Sequence, residues 1–118
     1  MEPVTRRKTV KVEAILGFAQ AAGKVASGDF AVTRALRTGQ VHLVIIAEDG
    51  GRRVERRFGR LCDAYGVPWR RWGTKEQLGR MLGRSARSVV AVLDPAFAAK
   101  VEEALPKTHE GSGPNDLR

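Results

Sequence analysis

In AAGKVASGDFAVTRALRTG, Ala21 to Gly39, small and basic residues crowd ahead of a helical pattern. Gly23, Lys24, Ser27 and Gly28 come first, and Phe30 to Thr38 follows with Arg34 and Arg37. Backbone N–H groups at a helix start attract anions, glycines let a phosphate come close, and Lys24, Arg34 and Arg37 supply charge. The chemistry these residues suit is the gripping of an anionic ligand; a capped turn leading into a helix is the other reading. Asp29 favours the helix dipole but repels a phosphate, so an anion is expected on the Gly28 and Arg34 side.

A second candidate is GRSARS, Gly83 to Ser88, where Arg84 and Arg87 can fork onto phosphates while Ser85 and the backbone reach sugars or bases. A surface connection kept soluble by arginine is the alternative. Further along the same theme, Arg53, Arg56, Arg57 and Arg60 recur at i, i+3, i+4 and i+7. Such a stripe is read either as a solvated helix face or as a second contact for nucleic acid. Five arginines from Arg52 to Arg60 face one acid, Glu55, and an anionic partner would relieve their repulsion. WRRW, Trp69 to Trp72, mixes rings and cations as base-stacking platforms do. Its two tryptophans have opposite parity on a strand, however, so at least one is expected in the core.

Catalytic arrangements find little support. His42 and His109 have no Cys or carboxylate at ligand spacing, so no metal is expected. AGKVASG lacks the GK[ST] of a phosphate-binding loop, and Ser27 has no histidine near it in sequence. Glu48 and Asp49, at the end of an apolar run, suit the orientation of a turn or an arginine partner better than acid–base work. No cofactor and no enzymatic activity are expected.

The composition agrees with an anionic partner. The chain has 118 residues, 42% of them hydrophobic, with 21 Lys and Arg against 13 Asp and Glu, a formal charge of +8. That length suits one core and one domain. The charge excess points to nucleic acid, anionic lipid or acidic protein. A membrane is the weakest of these, because no apolar run nears the ~20 residues of a spanning helix and MEPVTRRKTVKVEAI has no signal-type apolar segment. A cytoplasmic, monomeric protein is expected. The single cysteine, Cys62, lies on an apolar helix face and reads as a small core residue.

The elements that must position these residues follow from periodicity. Val12, Ile15, Leu16, Phe18, Ala19 and Ala22 mark a first helix over 10–22 that Gly23 ends. A very short strand at Val25 and Ala26 precedes a second helix, with Ser27 as its N-cap. VHLVIIAED, Val41 to Asp49, shows hardly any alternation and reads as a central strand covered on both faces. Val54, Phe58, Leu61, Cys62 and Tyr65 form the stripe of a third helix. VPWRRW reads as a strand nearer an edge, Thr74 and Gln77 as a capping box, and SVVAVLD as another buried strand. Asp94 and Pro95 open a last helix through Ala104. Helix and strand alternation predicts a three-layer α/β/α sandwich on a small mixed sheet of about four strands. Residues 1–9 read as a basic N-terminal arm, 10–105 as the domain, and 106–118, with Leu117 almost alone in apolar character, as a disordered tail.

LGFAQAAGKVASG, AVTRALRTGQVHLVIIAED, GVPWRRWGTKEQLGRMLG and SVVAVLDPAFA, in this order over residues 10–104, resemble the ribosomal L7Ae/L30e superfamily and, within it, the bacterial L7Ae-like RNA-binding members. The resemblance implies an L30e-like fold and binding of structured RNA, typically a kink-turn, in rRNA or ribosome-associated RNA, without catalysis. It places the RNA site at the start of the second helix, the loop after the central strand and the loop before the last strand. Gly28 then matches the family glycine at the helix start, Arg34 its basic residue one turn on, and Lys75 a basic residue of the TKEQLG segment. The expected RNA-binding set is Gly23, Lys24, Ser27, Gly28, Phe30, Arg34, Arg37, Glu48, Lys75, Arg84, Ser85 and Arg87. One departure stands out: readers of sheared G·A pairs usually carry Asn-Glu where this sequence has Phe30 and Ala31. The alternative is a protein-interaction module of the translation machinery that docks an acidic partner on the Arg53, Arg56, Arg57 and Arg60 face.

Overall fold

β2 (Leu43–Ile46) and β4 (Val89–Val92) are buried at every position. Runs of Val, Ile and Leu without alternation need this environment, since both faces of each strand must be covered. The computed structural model describes residues 4–106. The remaining elements are α1 (Val4–Ala21), β1 (Val25–Ser27), α2 (Asp29–Arg37), α3 (Arg52–Tyr65), β3 (Trp69–Arg71), α4 (Lys75–Met81) and α5 (Pro95–Ala104). The sheet order is β1-β4-β2-β3, antiparallel except for the parallel β2–β3 pair. Val44 stands opposite Ala91 on one side and Trp69 on the other.

Strand parity divides the interior into two cores. Leu43, Ile45, Val90 and Val92 pack with Val12 and Leu16 of α1, Leu78 of α4 and Val101 of α5. Val44, Ile46, Val89 and Ala91 pack with Val32 and Leu36 of α2 and Phe58 and Cys62 of α3. The result is the expected α/β/α sandwich. The two tryptophans go to opposite sides: Trp72 joins the first core, and Trp69 packs against the second.

Local signals set several boundaries as expected. Thr74 Oγ1 accepts from the Gln77 amide at 3.0 Å and the Gln77 side chain accepts from the Thr74 amide at 3.3 Å, a complete capping box. Asp94 Oδ2 accepts from the amides of Ala96 and Phe97, both at 3.0 Å, ahead of Pro95. Edge strand β3 agrees with the reading of VPWRRW.

Other boundaries move. Helix α1 begins at Val4, so most of the expected arm is helical backbone; residues 107–118 of the expected tail lie outside the described residues. The ladder of β2 spans four residues rather than nine, although His42 N–H still donates to Val92 and Ala47 N–H to Ser88, each at 2.9 Å. Phe18 and Tyr65, assigned to apolar stripes, are 69% and 47% exposed, because the periodic stripe is wider than the surface each helix buries. The N-cap of α2 is Gly28, and Ser27 is the last residue of β1.

Cys62 is fully buried, as its position on the α3 stripe predicts. Desolvation, with a smaller contribution from the neighbouring Asp63 charge, pushes its thiol from 9.0 up to about 12. Burial thus favours the neutral thiol in the folded state. Its contribution to stability is complete below pH 9, where the unfolded thiol titrates, and is lost as pH rises from there towards 12. Iodoacetamide is expected to leave Cys62 unmodified at pH 8 in native protein and to alkylate it within minutes in urea, a contrast that mass spectrometry reads directly.

Candidate nucleic-acid interface

The pairing of the sheet collects four connections at one end. β1 ends there at Ser27, β2 at Ile46 and β3 at Arg71, and β4 begins there at Val89, since Ser27 pairs with Val90 and Ile46 with both Val89 and Arg71. The segments that meet are Gly28 and the start of α2, residues 47–51, residues 73–75 and the loop 83–88. Gly28, Phe30, Glu48, Lys75, Arg84, Ser85 and Arg87 therefore belong to one surface, as the sequence reading placed them.

Three of the remaining predicted residues, Gly23, Lys24 and Arg37, are not together with these. Lys24 O accepts from Leu93 N–H at 2.8 Å, which places Gly23 and Lys24 beyond the opposite end of β1. Arg37 is the ninth and last residue of α2, and the chain continues into His42 beside Val92. The sheet lies between these residues and the loop end, so they do not share a site with Gly28. Arg34, in the middle of α2, is exposed one turn beyond Phe30.

Gly28 adopts φ 93° and ψ 162°, a conformation open essentially to glycine alone. Its N–H continues the ladder by donating to Val89 at 3.0 Å, and its carbonyl accepts from Val32, also at 3.0 Å. No side chain caps α2. The amides of its first turn are left for water or a ligand. A groove of about 440 Å³ opens at this point, bounded by Gly28 to Ala31 and by residues 86–89, with Val54 and Phe58 of α3 also lining it. Phe30 stands at it with 78% exposure, an aromatic side chain offered to solvent.

Two arginines and an aspartate have tasks that the sequence did not reveal. Arg57 Nη1 donates to Asp29 Oδ1 at 2.7 Å and Nη2 to Thr33 Oγ1 at 3.3 Å, while the guanidinium lies 4.9 Å from the Phe58 ring centroid. The pair is partly exposed and worth a few tenths of a kcal/mol to about 1 kcal/mol. Its larger effect is electrostatic: Arg57 offsets the Asp29 charge at the helix start that would repel a phosphate. Arg87, read as a phosphate fork, is instead occupied within the protein. Its Nε donates to Ser27 Oγ at 3.1 Å, and its Nη1 reaches Ser85 Oγ at 3.0 Å, the Ala86 carbonyl at 3.2 Å and the Ser85 carbonyl at 3.3 Å. Ser27 is thus an acceptor for Arg87, and both serve to hold the loop.

Further bonds lock the loops together. Lys75 N–H donates to Asp49 Oδ1 at 2.8 Å, Lys75 O accepts from Arg87 N–H at 3.0 Å, and Glu48 N–H donates to Gly73 O at 2.8 Å. Asp49 therefore orients a turn, as expected, while the Lys75 side chain remains exposed. Gly79 is a site residue that periodicity missed: a Cβ there would overlap the Ser85 carbonyl, so α4 and the 83–88 loop approach as closely as a glycine permits. A glycine inside a short helix was the available signal.

Among the described residues no group of His, Cys, Asp and Glu is placed to hold a metal, and no helix is long and apolar enough to cross a membrane. A mixed four-stranded sheet between two helical layers, with an uncapped helix start and a basic loop beside it, defines a class of protein. The chain belongs to the ribosomal protein L7Ae/L30e/S12e/Gadd45 family, whose sequence profile matches residues 10–102. It is similar to the RNA-binding protein YlxQ of Bacillus subtilis (strain 168), with 37% identity over 91 residues that cover 77% of this chain and 91% of that protein. It also resembles the large ribosomal subunit protein eL8 of Cenarchaeum symbiosum (strain A), 34% identical over 70% of this chain and 67% of the relative. A solved structure of a Bacillus halodurans protein of unknown function superposes with a TM-score of 0.76 at 32% identity, covering 80% of this chain and 95% of its own. The Giardia lamblia 15.5kD RNA binding protein shares the fold at 21% identity and a TM-score of 0.69, covering 88% and 93%. Family and relatives carry ribosomal and RNA-binding names, in agreement with a non-enzymatic protein.

Gly79→Ala is expected to cost about 1–3 kcal/mol in urea unfolding by pushing the 83–88 loop away. Arg87→Ala is expected to cost about 1–2 kcal/mol through the acceptors it strands, and to speed hydrogen exchange at the loop amides; Arg87→Lys should recover little, since an ammonium cannot reproduce the fork.

Proposed function

We propose that this protein binds folded RNA, ribosomal or ribosome-associated, by shape and without catalysis, using the loop end of the sandwich. The observation that carries this reading is the groove at the start of α2, with its uncapped helix, exposed Phe30 and apolar lining by Val54 and Phe58. The helix start attracts phosphate, Arg34, Lys75 and Arg84 supply charge around it, and the Asp29 charge is offset by Arg57. The relatives YlxQ, named for RNA binding, and eL8, a ribosomal protein, support the same reading. It implies a cytoplasmic protein that works at or near the ribosome.

Kink-turns are candidate targets, recognised in a modified way. An aromatic ring stacks on any base and does not read a guanine edge, so Phe30 and Ala31 give recognition of backbone geometry with one stacked base. In fluorescence anisotropy with a kink-turn hairpin, Phe30→Ala is expected to lose about 1–3 kcal/mol, roughly 5- to 150-fold. Arg34→Ala should weaken all RNAs alike and reduce the slope of log affinity against log salt by about 0.7–0.9. Replacing the G·A pairs should cost less than Phe30→Ala does; a larger loss would mean that another group reads guanine edges. A salt slope near zero for the wild-type protein would sink the proposal.

A further inference from the structure

The arginine stripe of α3 divides in the folded protein. Arg57 turns towards α2, whereas Arg56 and Arg60, together with Arg52, line a groove on the other flank of the helix, against edge strand β3. This groove has a volume of about 490 Å³. Arg71 borders it from β3, and Trp69 and Gly59 also line it. The absence of a Cβ on Gly59 lets the indole seat on the helix, since a Cβ there would lie 3.0 Å from Trp69 Cζ2. Two acids share the groove. Glu55 is paired with Arg71 at 3.2 Å, and Asp63 is the other, so four arginines against two carboxylates leave a formal excess of +2.

We propose that this groove is a second RNA contact, taking the phosphodiester backbone of a single-stranded segment that leaves the folded RNA bound at the loop end. The inference rests on the RNA-binding reading above. Two observations select this ligand. Arg52, Arg56 and Arg60 follow one another at about 6 Å along the helix, one cation per turn, a row that suits the regularly repeated charge of a nucleotide chain. The groove begins beside the loop end, since Arg52 opens α3 directly after residues 47–51 and Arg71 closes β3 two residues before Gly73, so a strand can pass over the start of α3 from one groove to the other.

The test compares a hairpin with an internal loop to the same hairpin carrying a single-stranded extension of about ten nucleotides, within the usual range of single-strand site sizes. For the wild-type protein the extension should raise affinity about tenfold and steepen the salt slope by about 1.4, the value for two single-strand phosphates. Arg56→Ala with Arg60→Ala should lose that increment, keep the affinity for the plain hairpin within twofold and leave the melting temperature unchanged. In a Trp72→Phe background, Trp69 emission should change only with the extended RNA. The proposal is overturned if the double variant binds the extended hairpin like wild type, or if it loses binding to polyglutamate while RNA binding is intact, the behaviour of a surface for acidic protein. Failure of wild-type protein to bind either hairpin would instead refute the RNA-binding reading itself, and the second contact with it.

Discussion

Two adjacent strands without a solvated face are the constraint on which this molecule depends. β2 and β4 bury every side chain, so helices have to lie on both sides of the sheet, and alternate residues of the same strand feed different cores. Burial on both faces also leaves the strand ends as the places where the chain can reach solvent. With β1 antiparallel to β4, and β3 parallel to β2, the same end of the sheet receives the exits of β1, β2 and β3 and the entrance of β4. A surface built from four loops is therefore a consequence of how the core is satisfied.

Holding those loops in one arrangement draws on polar groups that look, in the sequence, free for a ligand. Arg87 ties the 83–88 loop to Ser27, the Lys75 backbone joins Asp49 to Arg87, and Arg57 joins α3 to the first turn of α2. These groups pre-organise a surface that other side chains present. Less conformational freedom then remains to be lost on binding. The formal charge of +8 is correspondingly divided. Arg57, Arg70, Arg71 and Arg87 make contacts within the protein, while Arg34, Arg84 and the Arg52, Arg56 and Arg60 row remain for an outside partner. Helix α3 separates two grooves of different character, one with an apolar lining and an aromatic side chain at its edge, the other lined by arginine.

Much of this architecture was legible in the residues. The unalternating VHLVIIAED and SVVAVLD runs, the Thr74 and Gln77 box, the Asp94–Pro95 start and the apolar stripe of α3 are local signals, written within one or two turns of chain, and each found its place. The glycine- and serine-bearing segments around Gly28 and Arg84 were also recognisable as loops, and the end of the sheet at which the family resemblance put them together is where strand pairing brings them. Boundaries were less legible. Ser27 has the composition of an N-cap, yet β1 pairing takes it into the sheet and leaves the cap to Gly28, whose φ of 93° no residue with a side chain readily adopts.

What the sequence by itself determined was the kind of each element and the excess of basic residues that favours an anionic partner, because propensity, periodicity and charge act over short distances along the chain. Tertiary structure alone decided which basic residues act together. Lys24 stands four residues before Gly28, but a strand carries it to the far end of the sheet, whereas Arg87, sixty residues away from Ser27, comes within 3.1 Å of it. It also decided that Asp29 meets Arg57 and that Arg56 faces away from both. These relations are set by strand pairing and helix packing between distant segments, and no spacing within a segment encodes them.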